Sequence, residues 1–258
     1  MKKITISPSI LEYEHDIKGS MEKIKEILSC GIEYLHIDIM RKPFTQKNAF
    51  SEKAIEMLYR EFHNEANFDF HLMVSNPGGL IAYLNKMVRN SDKENTYITI
   101  HREAYRKGLG MYESKDYDLL NIHDSHVREI NEKTGKLIEK ALKTIKHYGF
   151  KAGIALEPNT SIKNITDDLA HYADLILLMS VRSGAGSQPY KKEVTGKIKE
   201  AKHRYKGKTI QVDGGINEET ISEVIHAGAS NIVIGSYITK ADDPGVPITK
   251  IKRYIEPR

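Results

Sequence analysis

Short apolar runs rich in β-branched residues recur along the chain at regular intervals. They are bounded by Gly, Pro, Asn or Asp, which is typical of buried parallel strands. Eight strands are predicted, over residues 4–6, 34–39, 68–74, 96–101, 152–156, 175–180, 209–212 and 231–234. Between them, apolar residues at helical spacing predict helices, as in the shared face of Met21, Ile24 and Leu28.

Eight strands alternating with helices predict the architecture. Within 258 residues, this pattern favours a single α/β domain over residues 1–258, folded as a (β/α)8 TIM barrel. An open doubly wound sheet is the alternative, but no GxGxxG follows the first strand. One polar, tyrosine-bearing stretch, residues 102–135, predicts an enlarged loop after the fourth strand, on the catalytic face of a barrel.

Composition narrows the classes of protein. Cys30 is the only cysteine, which excludes a disulfide scaffold. No apolar run approaches the roughly 20 residues that cross a bilayer, and the N-terminus is too polar for a signal peptide. The net charge of +4 is spread along the chain, so no nucleic-acid footprint is evident. We therefore expect a cytoplasmic protein without nucleic-acid or membrane partners.

Metal-ligand side chains lie at the ends of three predicted strands. Alternation places His36, Asp38 and Met40 on one face of the second strand. His71 lies near the end of the third strand, and Asp213 follows the seventh. Because barrel sites form at the carboxyl ends of strands, these groups predict a divalent-metal site with positions open for substrate. The alternative is a set of hydrogen-bonded core residues.

Glycine-rich turns follow three late strands. They comprise residues 180–188 after the sixth strand, Gly214 and Gly215 after the seventh, and Gly235 and Ser236 after the eighth. Glycine lets backbone N–H groups approach an anion, and barrels commonly bind phosphate at these loops. A single glycine more often marks only a turn. Three such turns on one barrel face predict a phosphate cradle.

Taken in order, these segments resemble the ribulose-phosphate 3-epimerase family of the ribulose-phosphate-binding barrel group. The matching segments are Ser7-Pro8-Ser9-Ile10-Leu11, His36-Ile37-Asp38-Ile39-Met40, His71-Leu72-Met73-Val74, Met179-Ser180-Val181 with Gly184, Gly186 and Gln188, Val212-Asp213-Gly214-Gly215-Ile216-Asn217, and Ala227-Gly228-Ala229 with Gly235-Ser236. Each segment alone is weak evidence for the resemblance, but together the segments are specific to this family.

The resemblance implies an epimerase of pentose phosphate metabolism. It would interconvert D-ribulose 5-phosphate and D-xylulose 5-phosphate through an enediolate, with Asp38 as proton acceptor and Asp213 as proton donor. One divalent cation (Zn, Fe, Mn or Co) would be bound by His36, Asp38, His71 and Asp213. The implied substrate-binding residues are Ser9 and His71 for the sugar, Met40, Met73 and Met179 for an apolar wall, and Gly184, Ala185, Gly186, Ser187, Gly214, Gly215, Gly235 and Ser236 for the phosphate. The expected partner is a small sugar phosphate, and we also expect a homo-oligomer.

The chain departs from the family pattern in its loops. Arg41-Lys42 replaces the usual Asp-Gly, and the turn over residues 182–187 differs from the usual Asn-Pro-Gly-Phe-Gly-Gly. These positions belong to the lid and the substrate-holding loops. A hexulose-phosphate 3-epimerase acting on allulose 6-phosphate therefore stays an alternative.

The sequence disfavours two other functions of such a barrel. A keto-sugar-phosphate decarboxylase of the same group carries an Asp-x-Lys-x-x-Asp pattern, but Asp38-Ile39-Met40-Arg41 lacks the lysine. A non-catalytic sugar-phosphate-binding barrel is disfavoured because Asp213 is present.

Two further groups of polar residues are predicted to have structural roles. We read His123-Asp124-Ser125-His126 as part of a polar loop. We expect His101 and Glu103, which end the fourth strand on one face, to serve in structural hydrogen bonding.

Overall fold

The protein folds as a barrel of eight parallel strands. The computed structural model describes residues 3–105 and 125–255, with side chains from residue 132 onwards in the second range. The strands are β1 Thr5–Pro8, β2 Tyr34–Met40, β3 Asn67–Met73, β4 Tyr97–His101, β5 Lys151–Leu156, β6 Leu175–Met179, β7 Thr209–Asp213 and β8 Asn231–Ile234. Their order is β1-β8-β7-β6-β5-β4-β3-β2, and a parallel bridge between Ser9 and His36 joins the two ends of the sheet. The predicted (β/α)8 TIM barrel is confirmed.

Helices follow the strands in the alternating order that the pattern predicts. They are α1 Met21–Ser29, α2 Glu52–Phe62, α3 Gly78–Met87, α4 Asn90–Lys93, α5 Ser125–His147, α6 Asp167–Tyr172, α7 Val194–Arg204, α8 Ile221–Ala227, α9 Ser236–Thr239 and α10 Gly245–Lys252, with 3₁₀ turns at Leu11–Tyr13 and Ile162–Asn164. Their apolar faces cover the outside of the sheet and form the main hydrophobic core. Within the described ranges, no helix has the length and apolar character needed to cross a membrane.

The observed strand ends differ from the predicted ones by at most two residues, and β8 has the predicted bounds. The largest shift is in β1, which pairs with β8 from Thr5 to Pro8 rather than stopping at Ile6. Proline has no N–H to donate, but at the end of a strand this costs no ladder bond. The shift brings Ser9 to the mouth of the barrel.

The prediction of an enlarged loop over residues 102–135 is wrong in its last part. From Ser125 onwards the chain is helical and belongs to α5. Thr134, Ile138, Leu142 and Ile145 are buried at helical spacing, so the face that packs on the barrel begins inside the predicted loop. Residues 106–124, and with them most of the expectation that this loop borders the site, lie outside the described residues.

The inside of the barrel has an apolar side and a polar side. The apolar side is a cluster on β4, β5 and β6, made of Tyr97, Ala155, Leu175, Leu177, Met179 and Val181. The polar side is a hydrogen-bonded row, in which Ser7 and Gln211 both donate to Asn231 Oδ1, and Gln211 Nε2 donates to Asp69 Oδ2 at 2.5 Å. Polar side chains of β1, β3, β7 and β8 therefore find hydrogen-bond partners inside the barrel, as buried polar groups require.

Candidate metal centre

Four metal-ligand side chains converge at the carboxyl ends of β2, β3 and β7. One ligand atom from each of His36, Asp38, His71 and Asp213 lies within 4.8 Å of the other three. Asp38 Oδ1 lies 3.3 Å from His36 Nε2 and 3.1 Å from His71 Nδ1. Asp213 Oδ2 lies 3.9 and 3.8 Å from the same two nitrogens, which are 3.4 Å apart.

These spacings fit one divalent cation. Zinc bonds to imidazole nitrogen and carboxylate oxygen are about 2.0–2.2 Å long, which puts tetrahedral ligands about 3.4 Å apart. The five measured ligand–ligand distances of 3.1–3.9 Å lie around that value. Two carboxylates, two neutral imidazoles and a divalent ion also sum to zero charge, which favours burial of the cluster. The cluster could therefore bind one divalent ion.

The strand register produces this convergence. In the β2–β3 pair, Asp38 lies beside His71 and His36 lies beside Asp69. Because side chains alternate along a strand, both pairs point to the inside of the barrel in two successive layers. Asp213 follows the same rule two residues beyond Gln211 on β7.

The ring of His36 is fixed by a carboxylate beneath the cluster. His36 Nδ1 donates to Asp69 Oδ2 at 2.8 Å, and both side chains are fully buried. In the neutral ring, this hydrogen bond keeps the proton on Nδ1 and leaves the lone pair of Nε2 facing the cluster, as a metal-ligating histidine requires. Asp69 is therefore a positioning residue that the sequence analysis missed.

Replacing Asp69 by Asn is expected to weaken binding of a divalent cation about 10- to 100-fold. Asn keeps the shape and one oxygen but removes the charge that increases the basicity of His36. Chelator competition with zinc measures this affinity. The matched control is Asp92→Asn, which changes an aspartate beside His63 outside the cluster. Equal zinc affinity in Asp69→Asn and the parent protein would contradict the role of Asp69.

His71 is supported by a second histidine rather than by a carboxylate. His71 Nε2 and His101 Nε2 lie 2.8 Å apart, and the two rings are stacked. His101 Nδ1 in turn lies 3.4 Å from Glu103 Oε2 and 3.7 Å from Glu157 Oε1. The expected structural hydrogen bonding is present for both residues: His101 contacts the ligand His71, and Glu103 Oε1 accepts from the Thr160 hydroxyl and from the backbone N–H of Glu157. The sequence did not indicate that Glu157 lies here.

The pKa values of the two imidazoles shift in opposite directions. Burial disfavours the charged form of His36, but the neighbouring Asp69 and Asp38 outweigh it and hold the pKa of His36 well above its usual value. Burial lowers the pKa of His71 to about 4, so this ring is neutral near pH 7.

The pKa values of the two carboxyl groups also shift in opposite directions. Burial acts to raise the pKa of Asp38, but His36 and His71 hold it well below its usual range. Burial, together with the negative charge of Asp38, raises the pKa of Asp213 to about 7. One carboxylate is therefore ionised near neutral pH while the other carries a proton for much of the time, which is typical of acid–base pairs.

A cavity of about 690 Å³ opens directly above the cluster. This is within the usual size range of small-molecule sites. Asp38 and Asp213 lie in its wall, whereas His36 and His71 are fully buried below it. Ser9 Oγ donates to Asp38 Oδ2 at 2.6 Å, and this oxygen is turned away from the two histidines.

Most of the predicted substrate-binding residues line this cavity. They are Ser9, Met40, Met73, Met179, Gly184, Ala185, Gly186, Ser187, Gly214, Gly215, Gly235 and Ser236. Of the predicted sugar contacts, His71 is the one placed beneath the wall rather than in it. Of the segment His123-Asp124-Ser125-His126, predicted to be part of a polar loop, the last two residues instead begin α5, and the side chains of all four lie outside the described residues.

The turn after β7 needs glycine on steric grounds. Gly214 and Gly215 both have positive φ, at 121° and 66°. A Cβ on Gly214 would lie 2.4 Å from a Val181 methyl group, and one on Gly215 would lie 2.3 Å from the backbone nitrogen of Tyr190. The backbone here is therefore packed closely against the turn after β6.

Comparison with known proteins gives one consistent family. The model of the "Ribulose-phosphate 3 epimerase family" matches residues 5–114 and 112–239. The chain is 29% identical to the ribulose-phosphate 3-epimerase of Buchnera aphidicola subsp. Acyrthosiphon pisum, over 99% of this chain and 96% of that protein. It is 30% identical to the ribulose-phosphate 3-epimerase of Bacillus subtilis, over 96% of this chain and 98% of that protein.

A solved structure agrees with the barrel. The 3-hexulose-6-phosphate synthase from Salmonella typhimurium superposes with a TM-score of 0.64, over 99% of this chain and 98% of that one. The two sequences are 14% identical, so this likeness supports the fold alone.

Proposed function

Because the chain belongs to the ribulose-phosphate 3-epimerase family and is an epimerase, we propose that it interconverts D-ribulose 5-phosphate and D-xylulose 5-phosphate. The reaction inverts the carbon next to the ketone, which requires a proton to leave one face and return on the other. The observation that carries the proposal is the pair of cavity-lining carboxylates, Asp38 and Asp213, which share a cluster with two buried histidines.

We assign proton removal to Asp38 and proton delivery to Asp213. The low pKa of Asp38 keeps it ionised and able to accept a proton. Asp213 lines the same cavity and is the second carboxyl group that could carry one. Their roles exchange in the reverse direction. Ser9, which donates to Asp38 Oδ2, would hold this carboxylate in place and lie beside the sugar.

The four residues of the cluster would bind the cation, and three methionines would shield the reacting carbon. His36, Asp38, His71 and Asp213 would hold Zn, Fe, Mn or Co, because imidazole and carboxylate ligands suit these ions. The bound ion would supply electrophilic stabilisation for the negative charge that develops on the substrate oxygens. Met40, Met73 and Met179, each almost fully buried, form an apolar wall that limits access of water.

The phosphate would be held at the other end of the cavity. Three turns that line this cavity would hold it: the turn with Gly184, Ala185, Gly186 and Ser187, the turn with Gly214 and Gly215, and the turn with Gly235 and Ser236. The successive positive φ values of Gly214 and Gly215 support a turn whose main-chain N–H groups could bind an anion.

The phosphate should be needed for rate as well as for binding. For metal-loaded protein, we expect kcat/KM for unphosphorylated D-ribulose to be at least about 100-fold lower than for D-ribulose 5-phosphate, with a loss in kcat. Binding energy from the remote phosphate holds the reacting carbon between the two carboxylates. Steady-state assays with both sugars measure this ratio, and equal turnover would contradict the phosphate cradle.

A hexulose 6-phosphate is the second candidate substrate. Ala185 lines the cavity where the family pattern usually has Phe, and a smaller side chain leaves room for one more carbon. An assay of D-allulose 6-phosphate beside D-ribulose 5-phosphate separates the two substrates. A higher kcat/KM for the hexulose would replace the pentose assignment, and no turnover of either would favour a non-catalytic sugar-phosphate-binding barrel.

A further inference from the structure

A charged triad borders the end of the cavity where the phosphate is proposed to bind. Lys240, just after α9, donates from Nζ to Ser187 Oγ at 2.8 Å and lies 3.6 Å from Glu12 Oε1. Ser187 Oγ donates to the same Glu12 oxygen at 3.2 Å. Glu12, Ser187 and Lys240 all line the cavity.

The carboxylate of Glu12 is packed against the turn after β6. A Cβ on Gly186 would lie 3.0 Å from Glu12 Oε1, so the carboxylate is close to the backbone of this turn. Ser187 is one of the few non-glycine residues of the described chain with positive φ, at 59°. This conformation directs its hydroxyl into the triad at some cost in backbone energy, which points to a binding role.

We propose that Lys240 is a specificity-determining residue that binds the substrate phosphate, and that Glu12 is an internal anion that holds Lys240 and Ser187 until the phosphate arrives. This inference rests on the proposed function. A phosphate monoester carries about −1.5 to −2 charge at pH 7, more than one carboxylate, so it outcompetes Glu12 for the ammonium and hydroxyl donors.

The contacts of Lys240 are the reason for assigning the phosphate to it. Arg182 and Lys192 also line the cavity, but Lys240 is singled out by its direct contacts with Ser187 and Glu12. The Lys240 side chain is 55% exposed and that of Glu12 is 30% exposed. Solvent and salt therefore screen the pair, which makes exchange of one anion for another feasible.

The test uses two variants with opposite expected effects. Lys240→Met should weaken binding of inorganic phosphate about 5- to 20-fold, as expected for loss of one charge-assisted hydrogen bond. Glu12→Gln should strengthen it about 2- to 5-fold, because the competing charge is gone and a like-charge repulsion is removed. Calorimetric titration of the whole protein with inorganic phosphate at low ionic strength measures both effects.

Matched controls separate a local effect from net charge. Lys250→Met removes a lysine that is 47% exposed and pairs with Glu218 at 3.3 Å, outside this cavity. Glu56→Gln removes a glutamate that pairs with Arg60 on α2. Neither should change the dissociation constant of phosphate by more than about twofold.

The same variants are assayed with D-ribulose 5-phosphate. The loss in Lys240→Met should appear mainly in KM, while KM for unphosphorylated D-ribulose should not change. If the parent protein turns over the ketose phosphate and Lys240→Met matches it in KM and in phosphate binding, this inference fails and the proposed function stands. Weaker phosphate binding by Glu12→Gln overturns the role of Glu12. A parent protein that neither binds phosphate nor turns over the ester overturns both proposals.

Discussion

Replacing Asp213 by Asn is expected to lower net epimerisation by at least about 10³-fold. Loss of a general acid–base group costs about 10²–10⁴, and the substitution also weakens a metal ligand. Asn keeps the size and one oxygen of the side chain but delivers a proton poorly. Asp38 would still remove the proton that it faces. One epimer should therefore exchange the hydrogen next to its ketone with deuterated solvent while little product forms.

The exchange pattern distinguishes the two carboxylates. Asp38→Asn should show the complementary behaviour, with exchange confined to the other epimer. NMR in deuterated water follows exchange and product together, and the metal content of each variant is measured first. Asp167→Asn, which alters an aspartate that is 93% exposed on α6, is the control and should match the parent. A metal-loaded Asp213→Asn variant that epimerises at the parent rate would disprove the two-carboxylate assignment.

Removing divalent cations is expected to abolish activity, with a loss of at least about 10³-fold. Proton removal next to a ketone leaves negative charge on the substrate oxygens, and a divalent cation held by the cluster would stabilise that charge. Treatment with a chelator followed by addition of Zn, Mn, Fe or Co should restore turnover, and an activity titration identifies the effective ion.

A variant that lacks one ligand of the cluster tests whether the required cation binds there. His36→Ala should stay inactive at cation concentrations that restore the parent protein, because one ligand is lost. His63→Ala removes a nearly buried histidine that pairs with Asp92 away from the cluster and should be restored normally. Full activity after rigorous removal of metal would refute the proposed cation requirement.

The ligand cluster could be predicted because it follows from strand periodicity. His36 and Asp38 alternate with apolar residues, so one side of β2 had to carry both of them. The barrel rule then brings the carboxyl ends of β2, β3 and β7 to one face. For these residues, local spacing and fold class together are sufficient to predict that their side chains form one cluster.

The supporting residues depend on register and barrel closure, which sequence spacing does not specify. Asp69 precedes His71 by two residues, so its inward direction could have been inferred, but its contact with His36 depends on how β3 is paired with β2. His101 meets His71 only after β4 docks beside β3. Glu12 and Lys240 are far apart in the chain, and they meet because β1 and β8 are neighbours.

The bridge between Ser9 and His36 has a thermodynamic consequence. It closes the sheet at the level of the cluster, whose ligands come from β2 and β3 at one end of the strand order and from β7 near the other. An ion held there cross-links the first third of the chain to the last, and an open sheet cannot bind it in the same way. Its binding free energy therefore adds to the stability of the whole barrel, by about 2.7 kcal/mol at a free ion concentration 100 times the dissociation constant. The free energy of unfolding would therefore depend on the concentration of the free metal ion.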